Sequence, residues 1–382
     1  MTASGRHYLD YASTSPLRPE AALEMTSFLE QGVAGDPGRV HTEGHLVRDA
    51  IEGARESVAL LAGTGANRVV FTSGATEAAN TAVFAASRRR PSAAVICADV
   101  EHSCVRDAAG RWGPVSVLRV DSLGRVDLDH LRFLLEDRNA ALVNCQWANH
   151  EVGTLQPVAE VVELCRSAGV LVHVDAAASA GQLPLALDEL GADLVSVSAH
   201  KLGGPSGTGA LIVRRGLRLE PLLVGGSQER GRRGGLENVL GIVGFGAAAR
   251  ALSEPGRLRA EADVARRLTE DLLRVATSVQ DVIPLGDTAG RVPHIVNVAV
   301  GGVLAEAVLL GLDRAGIAAH SGSACSSESI EPSPVLAAMG VDPDRSLRLS
   351  VGWSSGGSDL AAFADAFPDV VGRLRALGSA PA

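Results

Sequence analysis

Aromatic side chains are scarce in this sequence: three Trp, two Tyr and seven Phe among 382 residues. Any core must therefore be built from Ala, Val and Leu, and at 46% hydrophobic residues the chain has enough of them for a substantial one. Cysteine is sparse too. The five are Cys97, Cys104, Cys145, Cys165 and Cys325, an odd number with no C-x-x-C pair, which argues against a disulfide framework or a zinc site, and no metal is expected. There is no surplus of positive charge. A net charge of −9 argues against a general electrostatic grip on nucleic acid. The one dense basic run, Arg88 to Arg90, closes a helical pattern before Pro91 and reads as a helix C-terminus. No uninterrupted apolar run reaches the roughly 18 residues of a membrane span. "MTASGRHYLD" carries no apolar h-region. The expectation is a soluble, cytoplasmic protein with reduced thiols and no membrane contact.

What the chain does have is alternation. A length of 382 residues fits two domains or one large one. From residue 60, short apolar runs alternate with helical patterns: "RVVFTSG" (68–74), "AAVICADVEH" (93–102), "AALVNCQWANHEVG" (140–153), "GVLVHVDAA" (169–177), "ADLVSVSAHK" (192–201) and "TGALIVRR" (208–215). This predicts an α/β sheet of parallel strands. After Asn238 the texture changes to a long helical stretch broken at Pro255. Then come "HIVNVAVG" (294–301), "LAEAVLLGLDRAG" (304–316) and "SLRLSVG" (346–352). That tail predicts a smaller α+β domain. The division is 13–256 for the large domain, with 1–12 and 257–382 forming the small one.

Polar residues fall at the strand ends, where ligands of open α/β sheets collect. "TSGATEAAN" sets Gly74, Ala75 and Thr76 between a strand and a helix, a turn that points N–H groups at an anion. A capped helix with Glu77 in its first turn reads equally well there. Asp175 ends the strand of "VHVDAA" and on its own reads as a helix N-cap. Ser198, His200 and Lys201 end the next strand in "SVSAHKLGG". A lysine facing a crevice suits Schiff-base chemistry, its basicity lowered by burial. His102, in "EHSC", could stack on a ring, although a lone histidine is more often structural. Together, a phosphate cradle, a strand-end aspartate, an imidazole and a lysine are what pyridoxal phosphate needs. One feature stands apart. "HSGSACSSES" (320–329) sets Cys325 among serines and glycines, where a thiol cannot be buried well, and reads as a mobile, exposed loop.

With these residues in place, the chain resembles a pyridoxal-phosphate-dependent cysteine desulfurase of the NifS/IscS type, in the fold type I aminotransferase superfamily. "YLDYASTSPLRP", "FTSGATEAAN", "EH", "NHEVG", "HVDA", "SAHK", "GPSGTGAL", "QERGRRGG", "SGSAC" and "LRLSVG" occur in that family's order across nearly the whole chain. The resemblance implies a large domain with a mostly parallel seven-stranded sheet flanked by helices, plus the smaller α+β domain carrying the cysteine loop (320–331). It also implies the roles. Lys201 would hold the cofactor as an imine and move protons. His102 would stack on the ring as an acid/base, and Asp175 would pair with the ring nitrogen. Gly74, Ala75, Thr76, Ser198 and His200 would hold the phosphate. Arg348 would bind the substrate carboxylate. Cys325 would take sulfur from L-cysteine as a persulfide, leave alanine, and pass the sulfur to an acceptor protein. A homodimer is implied, with "QERGRRGG" reaching the partner's site.

Four positions depart from the family's pattern. Ala178 stands where glutamine normally donates to the cofactor's phenolic oxygen. His150, in "NHE", replaces an asparagine near that oxygen and the substrate, and its imidazole N–H is also a donor. Leu236 replaces a threonine that reaches the partner's phosphate. Trp353 stands where arginine is common. These departures keep two other readings open: a related lyase or transaminase on another amino acid, and a low-turnover sulfur-relay scaffold.

Overall fold

The computed structural model describes residues 5–137, 139–321 and 332–378. A two-residue strand, β1 (His7–Tyr8), leads into seven strands of one sheet. These are β2 (Val69–Thr72), β3 (Ala94–Ala98), β4 (Val115–Leu118), β5 (Ala140–Gln146), β6 (Leu171–Asp175), β7 (Leu194–Ser198) and β8 (Gly209–Val213). The sheet order is β2-β8-β7-β6-β5-β3-β4. Strands β7, β6, β5, β3 and β4 run parallel, while β8 is antiparallel to both β7 and β2. All six runs predicted as strands form strands. The seventh, β4, is a half-exposed edge strand whose short "VSVL" gave no clear alternation.

Side chains alternate between the two faces of the sheet. Val143, Cys145, Val172, Val174, Val195 and Val197 join one core with the helices Thr42–Leu61, Val158–Ala168 and Val239–Leu252. Leu142, Leu194, Val95 and Cys97 join another, against the alanine-rich helix Ala75–Arg89 and the helix Ser103–Trp112. Alanines at 78, 79, 82 and 86 let that helix sit close to the sheet, which offsets the shortage of aromatic bulk.

Three further strands, β9 (Val282–Leu285), β10 (Ile295–Val300) and β12 (Ser346–Ser350), make an antiparallel sheet in the order β12-β10-β9. β11 (Ile317–Ala318) pairs in parallel with β1. The helices Arg257–Thr277, Ala305–Arg314 and Gly357–Gly378 pack on this sheet around a separate core that includes Phe363 and Phe367. Pro255 does break the long helical stretch, into Val239–Leu252 and Arg257–Thr277. Among the described residues no helix is long and apolar enough to cross a membrane.

Candidate active site

A cavity of about 860 Å³ opens beyond the carboxyl ends of β5, β6 and β7, lined by ten of the eleven residues proposed from sequence. Those ten are Gly74, Ala75, Thr76, His102, His150, Asp175, Ser198, His200, Lys201 and Arg348. Cys325 lies outside the described residues, as does most of its 320–331 segment.

At one end of the cavity the helix Ala75–Arg89 begins. Gly74 is its N-cap and makes no side-chain capping bond, so the first-turn N–H groups keep their donors for a ligand. Glu77 instead turns outward, accepting from Ser73 N at 2.8 Å and from Arg233 Nε at 3.0 Å. Glycine is needed opposite this turn. A Cβ on Gly209 would lie 2.7 Å from the Gly74 Cα and 2.6 Å from the Val197 carbonyl oxygen. Ser198 Oγ and His200 Nδ1 are 2.8 Å apart beside the same turn. Burial, and then the charge of Lys201, holds His200 neutral with a pKa of about 4.

Asp175 ends β6 and is buried. Its Oδ1 accepts two bonds, from Ala177 N at 2.9 Å and Ser196 Oγ at 3.0 Å. The Ala177 bond is the local turn that an N-cap reading anticipates, yet no helix follows. His102 does cap a helix, its Nδ1 accepting from Cys104 N at 3.2 Å, while its ring opens onto the cavity. It meets the His150 ring edge-to-face at 5.0 Å between centroids. Burial lowers the basicity of both imidazoles, and each is neutral at neutral pH.

Lys201 Nζ donates to the carbonyl oxygens of Ala12 and Ser13. Burial, reinforced by the nearby Arg348 cation, brings its pKa down to about 8. An amine so poised is a usable nucleophile near neutral pH. Arg348 comes from the other sheet, on β12. Its Nη2 donates to Asp10 Oδ1 at 2.8 Å and Ser13 Oγ at 2.6 Å, and its Nη1 to the His150 carbonyl at 2.9 Å. Its buried Nε has no hydrogen-bond partner among the described residues.

Sequence reasoning missed three participants. The Asp10–Ser13 segment anchors both Lys201 and Arg348, although "YLDYAS" shows only a turn-like pattern. Glu101 is fully buried at the cavity wall. Oε1 accepts from Gln146 N at 2.6 Å and Oε2 has no partner. Burial pushes its pKa up to about 8. Glu151, also raised by burial, accepts from Ser333 Oγ at 2.9 and 2.7 Å. Glu101 and Glu151 each adjoin a singled-out histidine in "EH" and "HE", and that adjacency was the available signal. Ala178 lines the cavity and offers no donor.

The order of the strands and the placing of this site at their carboxyl ends define the class as a fold type I α/β enzyme. The chain belongs to the aminotransferase class-V family, whose model matches residues 7–363. That family is pyridoxal-phosphate-dependent. Among curated relatives, cysteine desulfurase IscS 1 of Archaeoglobus fulgidus is 37% identical, covering 97% of this chain and 98% of its own. The NifS-like protein of Rickettsia africae superposes with a TM-score of 0.88 at 28% identity, covering 96% of this chain and 99% of its own. SspA, solved in complex with cysteine, superposes with a TM-score of 0.80 at 27% identity, over 91% and 99% of the two chains.

Proposed function

We propose that this protein is an L-cysteine desulfurase that uses pyridoxal phosphate, converts L-cysteine to L-alanine, and passes the sulfur as a persulfide on Cys325 to an acceptor protein. The observation that carries the reading is one cavity bordered by a lysine of lowered basicity, a buried aspartate and an arginine. The full-length cysteine desulfurase relatives support the same reading.

The residues present fit the cofactor. The uncapped helix start at Ala75–Thr76, with Ser198 and His200 beside it, suits a phosphate. Asp175 keeps Oδ2 for a ring N–H, because its hydrogen bonds among the described residues fall on Oδ1. Lys201 supplies the amine. When bound, the cofactor supplies an electron sink for bonds at the substrate's α-carbon. The chain's own residues do the rest. Arg348, at the cavity wall, binds the substrate carboxylate. Lys201, once free, moves a proton at the α-carbon. Neutral His102, whose Nδ1 accepts from Cys104 N, carries its proton on Nε2 and donates it near the ring. His150 provides the N–H donor that Ala178 lacks. The Cys325 thiolate attacks the substrate sulfur. A sulfur–sulfur bond forms as the carbon–sulfur bond breaks, the electron pair stays with carbon, and a proton completes alanine.

The core built by Leu9 with residues of 265–371 supports the division into a domain of residues 13–256 and one of 1–12 with 257–382, while Leu285, Val335, Leu336 and Met339 pack into the larger domain's core. The protein is proposed to act as a homodimer in the cytoplasm. The test is sulfide and alanine release from L-cysteine in the presence of a thiol reductant. The unmodified protein should yield both in equal amounts and, with the reductant left out, carry one added sulfur on Cys325 by mass spectrometry. Cys325→Ser should release no sulfide, since its hydroxyl is a far poorer nucleophile. Sulfide release at the unmodified rate from Cys325→Ser would make the protein a lyase that needs no persulfide.

A further inference from the structure

Three neighbouring strands carry polar residues at alternate positions on one buried face. They are Asn144 and Gln146 on β5, His173 and Asp175 on β6, and Ser196 and Ser198 on β7. The register aligns them: Asn144 pairs with His173, and Asp175 with Ser196. Asn144, His173 and Ser196 are fully buried. Polar groups this deep cost free energy unless every one is bonded, and these are. Asn144 Oδ1 lies 2.9 Å from His173 Nδ1 while its Nδ2 donates to the Ile96 carbonyl at 3.4 Å, His173 Nε2 meets Ser196 Oγ at 3.1 Å, and Ser196 Oγ donates to Asp175 Oδ1 at 3.0 Å.

The direction of this chain follows from counting protons. An ionised carboxylate only accepts, so the single Ser196 proton goes to Asp175. Ser196 Oγ must then accept from His173 Nε2–H. Burial holds His173 neutral, with a pKa of about 4, so its Nδ1 is bare and takes a proton from the Asn144 amide. That donation requires the amide turned end for end, with Nδ2 rather than Oδ1 toward His173, at the cost of its long 3.4 Å bond to the Ile96 carbonyl.

We propose that Asn144, His173 and Ser196 are positioning residues that fix the rotation of the Asp175 carboxylate, so that its Oδ2 stays aimed at a proton on the cofactor's ring nitrogen. The proposal rests on the reading that Asp175 faces that nitrogen. Ala177 N and Ser196 Oγ converge on Oδ1, which holds the carboxylate in one orientation and leaves Oδ2 for the ring. None of the three touches the cavity.

The test uses the loaded, unmodified protein and the variants Ser196→Ala, Ser196→Cys and His173→Gln. Nitrogen-15 NMR of the unmodified protein should find His173 as the neutral Nε2–H tautomer; an Nδ1–H tautomer or an imidazolium overturns the proposal even if no variant folds. With the cofactor labelled at its ring nitrogen, the unmodified protein should give a pyridinium shift. Ser196→Ala should move that shift toward neutral pyridine and lower kcat about tenfold with KM for L-cysteine unchanged. Ser196→Cys and His173→Gln, which keep a donor, should lie between. A Ser196→Ala protein that loses thermal stability but keeps the pyridinium shift and kcat shows a merely structural chain, and the proposal falls. Asp175→Asn separates the two levels of the argument. If it leaves the ring shift untouched, the placing of Asp175 is wrong; if it moves the shift and Ser196→Ala does not, only the relay is wrong.

Discussion

At the scale of single residues, the site is governed by burial more than by ion pairing. His102, His150 and His200 are all held neutral by desolvation, and Lys201 is brought to about 8 by the same cause. Glu101 shows the effect on stability. Its folded pKa of about 8 lies above the 4.5 of a free carboxyl. Between those values the unfolded chain has released the proton and the folded chain still holds it. Stability contributed at this position is therefore present below about 4.5 and is lost as pH rises toward 8, at about 1.4 kcal/mol per pH unit. Glu101→Gln keeps the oxygen that accepts from Gln146 N and removes the ionisation. Urea unfolding should find the variant close to the unmodified protein at pH 5 and more stable by several kcal/mol, in order of magnitude, at pH 8. An equal shift at both pH values would mean that Glu101 is ionised in the fold.

At the scale of elements, the apolar runs of the central strands were readable because β5, β6, β7 and β8 are buried on both faces and so read as continuous apolar segments. Strand direction was less legible. β8 runs antiparallel after the short turn through Gly203–Gly207, and no periodicity distinguishes that from a parallel return. While His150 and Arg348 came only from the resemblance, eight of the ten cavity-lining residues were readable because the strand ends where they sit stand out against such runs. Asp10 was not, because its importance comes from a contact with Arg348 that is 338 residues away in sequence. The "QERGRRGG" segment shows the same limit. Glu229 and Arg230 both take left-handed conformations, with φ of 50° and 59°, which strains non-glycine residues. What holds them is a buried ion pair: Arg55 Nη1 and Nη2 donate to Glu229 at 2.7 and 2.9 Å, and Phe71 N donates to the same carboxylate at 2.9 Å. Arg55→Met should destabilise the fold by about 3–5 kcal/mol by leaving Glu229 buried and unpaired. Adding Glu229→Gln should recover part of that loss in denaturant unfolding. If the double variant is as weak as the sum of its single changes, the pair is not coupled as drawn.

At the scale of the whole molecule, the site joins two sheets, since Lys201 follows β7 and Arg348 lies on β12, and the Asp10–Ser13 segment bonds to both. Val224 is 80% exposed and Leu236 61% exposed, and their segments are tied together by Gly234 N donating to the Leu223 carbonyl at 2.9 Å. Leucine at 236 stands where the resembled family has a phosphate-reaching threonine, so it removes a polar contact and adds apolar surface at the same place. Burial of Leu236 and Val224 against a second copy would stabilise a dimer by about 1.5–3 kcal/mol for each side chain. Light scattering at micromolar concentration should therefore give a homodimer. Leu236→Asp should shift it toward monomer, because a carboxylate would be desolvated at the interface. Leu236→Thr should leave the dimer intact and tighten pyridoxal phosphate binding by about one to two decades, the worth of one hydrogen bond to a charged group. A monomer with full turnover would contradict the shared site. A dimer whose cofactor affinity does not change in Leu236→Thr would place another residue on the phosphate, with Arg233, already bonded to Glu77 beside the helix start, the first to test.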